Sequence, residues 1–326
     1  MEWTGDVAAG DWLRDRLDPG ISARMHGVVP RGFPSYVRIF HPATRSRPVG
    51  RDWPTLPADA DPAAWDALAG VDIDTEPARW ADAAASFGTR MHPLAQWHAL
   101  VAQPGDDPNE WQQTPAPDGW QYDAPTEGEL DAGELAAVAA VLAAHTTTPD
   151  RGHVALWEGW GGLLGFTGEG PSRTFFSLGV PEGSPHAEVL ARSVHDRFNN
   201  PYRKSSWQPG ILSDAISRGP RLELPARGHV LFRGGVAELA DPEWVLRVPW
   251  RDRPAEEHGF DPAAHSPSLV WPDDRAWVLV SEVDFDSTIV ACAPDLAAAL
   301  VADDRWEATA IPADADLTWE GDRINP

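Results

Sequence analysis

Lysine is nearly missing from this chain: of its 26 cationic residues only Lys204 is one, the rest being arginine. That scarcity reads as the bias of a GC-rich genome rather than as a functional constraint. Cysteine is as rare. Cys292 stands alone, which excludes an internal disulfide and any zinc site built from several cysteines. The longest apolar run, residues 135–144, is mostly alanine and too short to span a bilayer. The first residues, Met1-Glu2-Trp3-Thr4-Gly5-Asp6, show no basic n-region and no apolar segment, which predicts no signal peptide and a cytoplasmic protein. Positive charge is also short. The formal net charge is −24, a surface that repels phosphate backbones and anionic lipids. Nucleic acid and membrane are thereby excluded as partners, which leaves a protein or a small ligand.

Familiar chemical motifs are absent too. The sequence has no Walker A loop, HExxH, GxSxG or CxxC, and no GxGxxG after a strand. No cofactor is expected. Six glycines fall between Gly159 and Gly170, but without the GK[ST] ending of a phosphate loop they read as a long turn.

What is present suffices for a core. The chain has 326 residues, 42% of them hydrophobic, with 28 glycines and 32 prolines that call for many turns. Residues 27–40 predict one or two short strands. Three helices are expected near Trp65 and Leu68, from Thr75-Glu76-Pro77 through Trp80, Ala84 and Phe87, and over 91–101. The stretch 104–126, rich in proline and glycine, reads as a linker or long loop between an N-terminal region (1–103) and a C-terminal domain (127–326). Asp131 with Glu134 resembles a capping box ahead of Leu135, Val138 and Leu142. A strand over 173–178 and a helix through Leu190, Val194 and Phe198 follow the glycine loop. Strands are expected at 153–157, 221–224, 229–232, 276–283, 288–292 and 306–310, with a helix opening at Pro294. The fold class is α+β, with a helical N-terminal region and a mainly antiparallel sheet in the C-terminal half.

Blocks such as VPRGFPSYVRIFHP (29–42), HTTTPDRGHVALWEGWG (145–161), LPARGHVLFRGG (224–235) and SPSLVWPDDRAWVLVSEVDFDST (266–288) resemble a group of actinobacterial proteins of similar length. That resemblance implies no activity, cofactor or catalytic residue. The C-terminal module looks like the immunity and interaction domains of bacterial toxin systems, which implies a protein partner.

Seventeen tryptophans against three tyrosines is the least ordinary count. Trp65, Trp80 and Trp97 fit apolar helix faces. Trp157 and Trp160, flanking Glu158 at a strand end, suit a ligand-facing patch better, because indole offers a large apolar face and one donor. Glu282, Asp284 and Asp286 alternate, so a continuing strand projects all three from one face. There they would hold Mg²⁺ or Ca²⁺, or form a solvated strand end. Glu256, Glu257, His258, Asp261 and His265 read as polar loop surface. His41, His92, His98, His145 and His195 offer bases, none singled out by spacing. Cys292, in an apolar strand, reads as a buried, inert thiol.

Two basic islands interrupt the acidic chain. Residues 24–51 carry six arginines, among them Arg31 and Arg38, and no carboxylate; residues 192–227, with Arg203, carry a net charge of +4. They either pair with the acidic remainder or converge on an anion. The leading expectation is a non-enzymatic intracellular interaction protein, with an immunity-like role as its suggested form. The alternative is an enzyme on a small anionic or sugar-like substrate, with tryptophans as platform, arginines as clamps and a carboxylate as base.

Overall fold

The computed structural model describes residues 1–20, 24–53, 71–101, 110–170 and 205–325. Its architecture follows from period-two strands whose two faces are both apolar. In β2 (Ser35–Phe40), Val37 and Ile39 join one core cluster, while Tyr36 joins a second and Phe40 a third. In β14 (Ser287–Cys292), Val290 and Cys292 join the first cluster, and Ile289 and Ala291 the second. A strand that is apolar on both sides must be covered on both sides.

Nine strands of the described residues form one sheet in the order β1-β11-β7-β12-β13-β14-β2-β15, with β10 beside β11. The remaining members are β1 (Glu2–Trp3), β7 (Gly152–Trp157), β10 (Leu222–Glu223), β11 (Gly228–Arg233), β12 (Leu269–Pro272), β13 (Val278–Val280) and β15 (Glu307–Ile311). Every pairing is antiparallel. β2 lies between β14 and β15, so the N-terminal strand sits inside the sheet of the C-terminal half, with Arg38 opposite Ile289 and Thr309. A four-stranded sheet joins β3 (Ala43–Pro48), β4 (Ile73–Ala78), β5 (Gln113–Pro115) and β6 (Gln121–Asp123). β8 (Phe166–Gly168) and β9 (Ser206–Gln208) form a separate antiparallel pair.

Three helices exceed one turn among the described residues: α1 (Trp80–Phe87), α2 (Ala132–Ala143) and α3 (Pro294–Ala302). α2 and α3 cover the first face through Leu135, Val138, Leu142, Leu296 and Leu300. The second face is covered from both chain ends, by Trp12, Leu13, Met25 and Val29 and by Ala315 and Leu317. Tryptophan serves this packing directly. The buried Trp277 indole donates to Leu142 O at 3.1 Å, and Trp306 to Leu300 O at 2.9 Å, each meeting a carbonyl in the last turn of a helix. Nine tryptophans are buried among the described residues, Trp80 and Trp97 with them as expected.

Several expectations need correction. The N-terminal region is not notably helical: among the described residues of the first fifty only short turns over 7–14 and 25–27 are helical, and strands run throughout. Residues 73–78 form a strand at the edge of the described sheet, where Pro77 is tolerated because that side has no partner among the described residues; the helix starts only at Trp80. Of the helix expected over 91–101 only Trp97–Leu100 forms, since Gln96 is extended (φ −110°, ψ 136°). The Asp131 cap is present, its carboxylate accepting from Gly133 N at 2.8 Å. Residues 110–123 hold a turn and β5–β6. The expected helix at Trp65, the strand over 173–178 and the helix through Val194 lie outside the described residues. Among the described residues no helix is long and apolar enough to cross a membrane.

Candidate ligand pocket

A pocket of about 210 Å³ opens beside Arg38. Alternation along β2 turns Arg38 away from Val37 and Ile39, and the side chain is buried to 1% exposure. Its donors are committed to Ser287 Oγ (2.9 Å), Ala95 O (2.7 Å) and Asp286 Oδ1 (3.1 Å), and its plane lies over the Phe40 ring at 4.5 Å. Burial draws the guanidinium below its ordinary value, opposed by Asp286. Burial likewise raises Asp286, opposed by Arg38 and by the Trp97 backbone N–H. Guanidinium basicity leaves a wide margin, so the arginine stays charged and the pair forms the pocket floor.

One wall is aromatic. His98 and Trp319 stack at 3.6 Å and 4°, and Trp111 meets Trp319 edge-on at 5.3 Å. Burial holds His98 below the usual imidazole range, hence neutral at pH 7. Trp319 is 54% exposed, while Trp97 is buried behind it and donates to Trp111 O at 3.2 Å. The opposite rim is acidic. Glu127 belongs to the lining, and partial burial followed by the charges of Asp286 and Asp284 raises its carboxyl. Gly128 joins this rim to the 281–286 turn: its N–H donates to Phe285 O at 2.8 Å, its φ is +75°, and an added Cβ would sit 2.6 Å from Val283 Cα.

Gln96 completes the lining. The residue is 6% exposed, and its Nε2 is buried with no hydrogen-bond partner among the described residues. Its backbone N–H is held by Asp322 Oδ2 at 3.4 Å. Asp322 also accepts from His92 Nε2 and Ile324 N, each at 2.9 Å, and from Asn325 N at 3.0 Å, so one carboxylate fastens the C-terminal segment to residues 92–96.

The residues singled out from the sequence are scattered. Arg38, His98, Asp284 and Asp286 line this pocket, together with Trp97. Trp157 and Trp160 meet edge-on at 5.6 Å elsewhere, with Trp160 stacked on His265 and Arg227 over Trp157 at 4.8 Å. Glu158 pairs with Arg221 at 3.0 Å. Arg31, exposed, pairs with Asp18 at 2.9 Å and approaches Asp314. Arg203 and His195 lie outside the described residues. Internal pairing therefore accounts for Arg31, Arg38 and Arg221, and for Arg45 with Glu76 and Arg47 with Asp74. Glu282, Asp284 and Asp286 do not share a strand face, because β13 ends at Val280 and the chain turns: Glu282 and Asp284 grip Arg227, while Asp286 faces Arg38. Among the described residues no group of three or more His, Cys, Asp or Glu is arranged to hold a metal ion. His41 is buried and bonded at both nitrogens, and burial pushes it down to about 4. Glu256 pairs with Arg251, and His145 bonds Val141 O near the end of α2.

Sequence reasoning missed Gln96, Glu127, Trp111 and Trp319. Only the tryptophans carried a signal, being outside any apolar period. No protein-family model, curated protein or solved structure matches the chain.

Proposed function

We propose that this protein binds one small, uncharged, hydroxyl-bearing ring, a sugar-like unit, in the pocket between Arg38 and Trp319. The observation that carries the reading is Gln96 Nε2, a buried donor without a partner in the wall of a cavity. Leaving such a group unpaired costs about 1–3 kcal/mol, which a ligand acceptor recovers. An anion would meet Glu127 and Asp284, while Arg38 is already committed to its own partners. A cation would leave the Gln96 donor unanswered. A hydroxyl does both jobs: it accepts from Gln96 and donates to a carboxylate, while the C–H face of the ring packs on indole.

A non-catalytic role agrees with the leading expectation from the sequence, but with a small ligand instead of a protein partner. Trp319 is the one tryptophan exposed among the described residues, so a broad tryptophan face for docking finds little support. A ring of roughly a dozen non-hydrogen atoms at about 0.3 kcal/mol each gives about 4 kcal/mol, a Kd near 1 mM. The test is titration with a panel of neutral monosaccharides, following tryptophan fluorescence and melting temperature. At least one member should saturate near that concentration, and the response should vanish in Trp319→Ala. A panel without any saturable response overturns the proposal.

An acid–base enzyme on the same ligand is the second reading, and Glu127 favours it. Partial burial, then the neighbouring Asp286 and Asp284, raises its carboxyl, and carboxyl groups whose surroundings differ in this way can divide acid and base roles. Turnover of chromogenic glycosides that is lost in Glu127→Gln would select the enzyme; binding without turnover selects the binder.

A further inference from the structure

A second cavity, of about 230 Å³, lies where the end of β2, α1, α2 and the start of β15 meet. Phe40, Pro42, Trp80 and Trp306 give it apolar walls. Four of its five charged side chains are committed. Arg79 donates to Asp304 O, and Arg305 pairs with Asp303 at 2.6 Å. Glu307 accepts from Trp80 N at 2.7 Å and Ala81 N at 3.2 Å at the start of α1, and Asp82 accepts from Arg79 N at 3.3 Å. The fifth is Glu134, in the first turn of α2. Its Oε2 is buried and has no hydrogen-bond partner among the described residues.

We propose that this cavity is a second ligand site that takes a small organic ammonium ion, with Glu134 as its counter-ion and the apolar walls around its carbon skeleton. A buried carboxylate oxygen needs either a proton or a cation. An anionic ligand would meet Glu134, Glu307 and Asp82. Arg79 and Arg305 are turned to their own partners, and the nearby His41 is neutral, so among the described residues no cation serves Glu134. An ammonium group supplies several donors and the charge together.

In the empty protein burial, reinforced by the Asp131 charge, pushes Glu134 up to about 7. An alkylammonium keeps its charge well above that pH, so binding strengthens as Glu134 ionises. The probe is n-butylammonium, measured by calorimetric titration, with n-butanol and butyrate as size-matched controls. Affinity should be about tenfold weaker at pH 6 than at pH 8. At pH 6, enthalpies in two buffers should report release of nearly one proton per ligand bound. Glu134→Gln should abolish butylammonium binding and leave the saccharide response of the other pocket unchanged. Equal binding of butyrate, an affinity independent of pH, or full binding by Glu134→Gln would overturn the proposal. Proton release in the wild type tests it even if the variant does not fold.

Discussion

Replacing Asp322 by asparagine isolates the group that fastens the C-terminal segment under the pocket. Burial opposes its charge, but the backbone and side chain of Asn325, the Ile324 N–H and His92 outweigh burial and hold the carboxyl down at about 2. Against an ordinary value of 3.8, nearly two pH units at 1.36 kcal/mol each correspond to about 2 kcal/mol. The sign follows from the depressed value. The contribution is present above the unfolded carboxyl's pKa, near 4, and is lost as pH falls through the folded value near 2. Urea denaturation of wild type and Asp322→Asn should therefore differ by about 2 kcal/mol between pH 5 and 7, the gap narrowing steadily towards pH 2. Because Asp322 also holds the Gln96 N–H, the variant should lose ligand affinity before it loses its fold. A gap that is constant with pH, or absent at pH 7, would refute this account of the charge.

Arg38→Met should cost about 3–5 kcal/mol in chemical denaturation by leaving Asp286 buried and unpaired, and adding Asp286→Leu should recover part of it. Gly128→Ala combines a left-handed φ with a backbone clash, and should lower stability by about 2–4 kcal/mol and open the acidic rim, read from the melting temperature and loss of ligand response. Cys292 is fully buried, and burial, reinforced by Asp295, pushes its thiol up to about 12; a disulfide reagent should label it only at the rate of unfolding.

Much of the C-terminal architecture was legible because it is local. Apolar residues around Asp286-Ser287 mark β13 and β14, Pro294 sits at the first turn of α3, and β15 follows from its own pattern. The acidic alternation misled for a physical reason: period-two reasoning holds only while the strand continues, and here the ladder ends at Val280. β2 falls within the strands expected over 27–40, but β3 and β4 were missed because pairing partners decide them. β4 is held by β3, and β2 by β14 and β15, far away in sequence. The pocket was hidden for the same reason. Arg38, Gln96, Trp111, Glu127, Asp286 and Trp319 come from six separate segments. One clue was local and went unused: an arginine between Tyr36 and Phe40 on one face of an apolar strand is a charge that must find buried partners.

The central claim is that the unpartnered Gln96 amide belongs to a ligand. Its most direct test is the affinity of Gln96→Leu, against wild type, for the monosaccharide that gives the largest response. Loss of one hydrogen bond worth about 1–1.5 kcal/mol predicts binding weakened roughly five- to twelvefold, with the melting temperature of the free protein unchanged or raised, because an unpaired polar group has been removed. Unchanged affinity in a folded Gln96→Leu variant would contradict it.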